Sequence, residues 1–327
     1  MSSQAEQERL VADTERWFEA HGLPWFVDRT RRRVRASLGR ARVLPWLGAS
    51  AAVAVAVGVL AGRWQDAGSG VAAGLSVLVA CGALYAVVAL DGLAVLRWAA
   101  RRTLGSLGLL LPLAARALPL LLLFMTFLFI NTEVWQVASG LSGGVMWAAT
   151  MIFAAMGLGF LLTRLPEELE VFDQELTRDR LVRSCADTPL ASAVESESVS
   201  EEDVDRHSDV VGLERANLLL VLLVAQAIQV LLLSLSVWVF FVVFGAVAIH
   251  RDVIEAWTTH PPDYLVGDLV SRELIRVATF LAAFAGLYFT VYAVTDESYR
   301  KQFFTATTRE LERAVSVRLV YRRLRDG

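Results

Sequence analysis

The residues with the most chemical potential in this chain lie in apolar surroundings. In "FLFINTEVWQV", residues 127–137, Asn131, Thr132 and Glu133 interrupt a long hydrophobic run. Helical periodicity places Thr126, Glu133 and Gln136 on one stripe. A carboxylate in such a place either binds a cation or a proton within the bilayer, or marks where a membrane helix meets water. Gln226 and Gln229 share one face of a later apolar run. Buried glutamines bond between helices or line a solute path. These five residues form the candidate intramembrane polar site. A second group is basic. Arg31, Arg32, Arg33 and Arg35, with Arg116 farther on, are candidates for contact with anionic lipid headgroups.

Other constellations carry less. The loop "HRDVIEAWTTHPPDYLVGD" holds His250, Asp252, Glu255, His260 and Asp263, but their spacing matches no zinc pattern. There is no GxxxxGK[ST], HExxH, GxSxG or CxxC. None of the four histidines makes a triad with Ser or Cys. Glu133 and Asp91 fall near opposite faces of a membrane, so they cannot act as a pair. The expectation is no catalytic residue, no cofactor and no metal.

The elements that must hold these residues follow from composition. Of 327 residues, 55% are hydrophobic, and the mean hydropathy is +0.50. Six apolar runs approach the roughly 20 residues that cross a bilayer: 43–62, 71–90, 117–138, 144–163, 216–249 and 277–295. Lipid offers no water to free backbone groups, so these are helices. The fold class is all-α, a polytopic transmembrane bundle of about six spanning helices with cytoplasmic amphipathic helices. A helix starting near Ala117 sets Glu133 about 24 Å into a roughly 30 Å core. One starting at Leu107 puts it outside. Trp135 next door and Gly140 shortly after favour the interface.

Orientation follows from the arginines, which supply 30 of the 31 basic residues. With the N-terminus inside, 27 of the 31 lie in 1–42, 91–116, 164–215 and 298–327. Only Arg63, Arg251, Arg272 and Arg276 lie outside. Both termini are therefore expected in the cytoplasm of a bacterial cell and the bundle in its plasma membrane. The first apolar run starts only at Val43, after a polar, Arg-rich tail, so no cleavable signal peptide is expected. Cys81 and Cys185 are not placed for a stable disulfide.

Five regions result. Residues 1–42 are a cytoplasmic helical segment, closed by Gly22 and Pro24 after a first helix and then rich in arginine. Residues 43–163 hold membrane helices one to four, with Gly58 and Gly62 at GxxxG spacing for close packing inside the bundle. Residues 103–115 read as an interfacial or kinked approach to the third span, with a broken helix lining a cavity as the other reading. Residues 164–215 form a cytoplasmic loop with an amphipathic helix and an acidic linker, "VESESVSEEDVD". Residues 216–297 hold helices five and six with the outer loop. Residues 298–327 are a cytoplasmic basic helix expected on the inner leaflet or against the 164–184 helix.

The stretches "HGLPWFV" and "RALPLLLLFMTFLFINTEVWQV" resemble an actinobacterial family of multi-spanning integral membrane proteins with no assigned activity. The resemblance covers the first half of the chain and implies no catalytic residues. The sequence thus points to an integral membrane protein acting as a non-enzymatic interaction or scaffold protein. Its partners are anionic lipid and an unidentified protein, with no nucleic acid. The alternative is a small transporter or channel around Glu133.

Overall fold

The structure is a computed structural model that describes residues 2–64, 66–105, 121–141, 143–173, 183–191, 194, 210–295 and 312–325. It is all-α apart from one small antiparallel hairpin. Helix α1, Ser2–Ala20, ends at Gly22, whose φ of +74° an L side chain rarely adopts. A Cβ there would also lie 3.2 Å from the Cβ of Trp98. A 3-10 turn at Pro24–Phe26 leads into α2, Asp28–Ser37. Val27, Thr30, Val34 and Ser37 are buried, while Leu38, which shares their spacing, is exposed.

The long apolar helices follow. Five are long and apolar enough to cross a membrane: α3 (Arg40–Trp64), α4 (Ala67–Ala89), Gly144–Leu165 within α8 (Gly143–Asp173), α9 (Leu213–Ala248), and Arg272–Tyr292 within α11 (Arg272–Thr295). Between α4 and α8 lie α5 (Gly92–Gly105), α6 (Leu121–Phe129) and α7 (Thr132–Gly140). Between α9 and α11 lie α10 (Arg251–Thr258) and the hairpin of β1 (Tyr264–Val266) and β2 (Val270–Ser271), which turns at Gly267 with φ +51°. The last helix, α12, covers 312–325.

The third span differs from the sequence reading of one helix over 117–138. Helices α6 and α7 meet at 77°. Asn131 takes an extended conformation, and its side chain accepts from the amides of Glu133 (2.8 Å) and Val134 (3.2 Å), starting a new helix. The fully buried Trp135 donates from Nε1 to the Phe129 carbonyl at 2.6 Å, which serves a carbonyl at the broken helix end. Phe129 stacks on Phe241 at 4.8 Å, and Trp135 packs on Trp257 at 5.5 Å. Trp135 is therefore an anchor of the protein core.

Glycine governs the first hairpin of spans. A Cβ on Gly70 would meet the Gly58 carbonyl oxygen at 2.6 Å and the Gly62 Cα at 2.9 Å. The Gly58–Gly62 pair thus packs α3 on α4 within one chain. The amphipathic stretch expected after residue 164 begins as a continuation of α8 to Asp173. Residues 174–182, the acidic stretch 195–205 and most of 103–115 lie outside the described residues.

Candidate functional site

Both chain ends meet at the first turn of α9. The Glu214 carboxylate is 2% exposed and sits where the helix dipole favours an anion. It accepts from Arg318 Nε and from Arg322 Nη2, each at 2.7 Å, and from Arg31 Nη1. Arg318 is itself 3% exposed. Arg31 also pairs with Asp28, which in turn pairs with Arg325. Burial lowers the pKa of Arg31, Glu214 opposes that shift, and the neighbouring Arg322, Arg318 and Arg35 reinforce it. Four guanidinium groups thus face two carboxylates.

Hydrogen bonds extend this clamp. One turn into α9, fully buried Asn217 accepts from the Trp25 amide at 2.9 Å and donates to the Gly22 carbonyl at 3.1 Å. The turn after α1 is thereby fastened to α9. Trp25 Nε1 donates to the Leu90 carbonyl at 2.8 Å, tying in the end of α4. Tyr321 donates to Glu15 Oε1 at 2.8 Å and packs edge-on to Phe18 at 5.6 Å. Burial raises the Tyr321 pKa, and the Glu15 bond adds to it. Residues 314–321 of α12 are all buried, so this helix is held on all sides by protein. The arrangement holds two distant parts of the chain together.

The residues named from sequence are dispersed. Glu133 and Gln136 are exposed on α7, while Thr126 is half-buried on α6 and donates to the Leu122 carbonyl at 2.6 Å. The bend between the helices breaks the single stripe that these three would form. Gln226 is 4% exposed, and neither polar atom of its amide has a partner; Gln229 Oε1 is likewise unpaired. Phe129, beside Phe241, marks the level of the bend, and Gln226 lies ~22 Å from Phe241 along α9. Glu133 and the two glutamines are therefore not brought together.

Among the arginines, Arg31 turns inward to Glu214, whereas Arg32, Arg33 and Arg35 are exposed. Arg33 lies 3.6 Å from Asp91. Arg116 lies outside the described residues. At the other end, Asp263 pairs with Arg272 at 2.8 Å, and His260 Nδ1 is 3.2 Å from the Pro261 carbonyl. Among the described residues no group of three or more His, Cys, Asp or Glu could hold a metal ion.

Sequence reasoning missed Glu214 and Asn217 as a site. The signal was present: a carboxylate and an amide open the longest apolar helix, and Arg318, Arg322 and Arg325 recur at helical spacing on one face. What spacing cannot show is that the two meet. Fold and site together define a helical bundle, compatible with a membrane protein, whose α2 and α12 close on the start of one long apolar helix. No protein-family model, curated protein or solved structure matches the chain.

Proposed function

We propose that this is a multi-pass protein of the bacterial plasma membrane, with both termini cytoplasmic, that acts as a non-enzymatic interaction protein. Its working part is the module made by α1, α2, α12 and the start of α9. One observation carries the reading: Glu214 clamps the N-terminal and C-terminal regions to a membrane helix through three arginines. Chain ends fixed in this way present a defined surface beside the bilayer. The exposed Arg32, Arg33 and Arg35, with Arg97, Arg101 and Arg102 on α5, give that surface a basic character suited to anionic lipid and to an acidic protein partner. The four basic residues of the opposite end, Arg63, Arg251, Arg272 and Arg276, are few beside these, which supports the orientation.

Transport is the second reading, and the unpaired amides of Gln226 and Gln229 favour it. One experiment separates the two. Reporter fusions fix the side of each terminus, and in-cell cross-linking from Arg35→Cys is compared between otherwise native protein and Glu214→Gln. The interaction reading predicts cytoplasmic termini and defined cross-linked species that are lost in Glu214→Gln while membrane insertion persists. Cross-links that ignore Glu214, together with a proton or cation flux in liposomes that Gln226→Leu abolishes, would sink it.

A further inference from the structure

A cavity of about 1210 Å³ runs between α8, α9 and α11. Its walls are apolar over most of their length, with Phe153, Leu161, Val230, Leu235, Ile275 and Leu287 among the residues that form them. The wall threonines turn their hydroxyls back onto their own helices: Thr150 to the Met146 carbonyl, Thr279 to that of Ile275 and Thr290 to that of Gly286. Their donors are spent, so the walls favour hydrocarbon over a polar solute. From Arg276 to Thr290 the groove follows α11 for about 21 Å, more than half of a roughly 30 Å hydrocarbon core.

The charge is all at one end. Among the described residues, the charged ones that line the cavity are Arg272 and Arg276, at the start of α11. Arg272 pairs with Asp263 in a surface contact in which both side chains are more than half exposed, worth little. Arg276 is different. Its Nη1 donates to the Ser139 carbonyl at 2.6 Å, at the end of α7, and no carboxylate stands against it among the described residues. Arg272 opens α11 and Arg276 lies one turn further in, so both charges stand near the positive end of the helix, where an anion is favoured. A long apolar groove capped at one end by a guanidinium that faces a helix-end carbonyl and no carboxylate among the described residues has the polarity of a lipid.

We infer that this groove is a specific site for a lipid with an anionic phosphate headgroup, its chain lying between α8, α9 and α11 and its phosphate on Arg276. The bond to Ser139 fixes the guanidinium, so the site also links the bent α6–α7 segment to the lipid. The site is independent of the cytoplasmic module.

The test is native mass spectrometry of the protein released from nanodiscs containing equal phosphatidylglycerol and phosphatidylcholine. One arginine near the surface contributes about 1 kcal/mol toward anionic lipid, about a fivefold preference. Wild type should therefore retain phosphatidylglycerol over phosphatidylcholine by about fivefold. Arg276→Gln should bring the ratio close to one, and Arg276→Lys should restore most of it. Ala283→Trp, which fills the groove, should remove the retained lipid of either kind. The lysine and tryptophan variants decide the matter should Arg276→Gln fail to fold. Equal retention of the two lipids by wild type, a preference unchanged in Arg276→Gln, or retention that survives Ala283→Trp would each overturn the inference.

Discussion

Glu214 shows how one side chain acquires weight from its surroundings. A carboxylate withdrawn from water is costly unless it is fully paired, and removing a partner from a buried ion pair destabilises more than the pair itself contributes. Cys185 is a second buried group with a defined consequence. It is fully buried near α12, where Arg313 pairs with Asp187 at 3.2 Å. Burial pushes its thiol pKa up from 9.0 to about 11, with Arg313 acting in the opposite sense. The folded state therefore holds this proton more tightly than the unfolded chain. Stability from this thiol is intact below pH 9.0 and falls as pH rises from there to about 11. Unfolding midpoints measured across that range should fall less steeply for Cys185→Ala than for wild type. Equal slopes would mean that the thiol is not held neutral by the fold.

At the scale of elements, composition makes the spans legible, and helix bends are another matter. Each of the five long helices in the structure overlaps an apolar run of about 20 residues or more, as a bilayer crossing requires. The bend between α6 and α7 lies within such a run, where hydrophobicity alone is blind. Its mark was nonetheless in the sequence: Asn131 followed by Thr132 and Glu133 is a helix-start signal. The hairpin of β1 and β2 was likewise signalled by Gly267–Asp268 between short apolar pairs. The Glu214 clamp was not legible, since its bonds join residues 183, 104 and 108 positions apart. Periodicity reports only local faces. The bend offers its own test: Trp135→Phe keeps the ring but removes the donor to Phe129, leaving that carbonyl without its bond. It should cost about 1–3 kcal/mol in unfolding free energy. A change within experimental error would show that the indole hydrogen bond does not hold the bend.

The molecule as a whole is built from two packing regimes. Helices α3 and α4 touch each other through glycine, α4 meets α8 at Gly68 and Ala72, and many of their remaining apolar side chains face outward, as suits lipid. Helices α1, α2, α12 and the start of α9 pack around Phe18, Phe26 and Tyr321, which are continuous with the buried core that runs through Met125, Phe129 and Phe241. The clamp at Glu214 lies within the second regime, at the start of the helix that continues into the bundle. The module docks as a unit and fails as a unit. The most direct measurement is amide hydrogen exchange of the full chain in nanodiscs, for wild type and Glu214→Gln. Wild type should protect the amides of 312–325. Glu214→Gln should accelerate their exchange by about a hundredfold or more, the equivalent of roughly 3–5 kcal/mol, with α11 unchanged. Wild-type exchange in 312–325 at open-chain rates, or protection there that Glu214→Gln leaves intact, would contradict the claim that this carboxylate locks both chain ends to the membrane bundle.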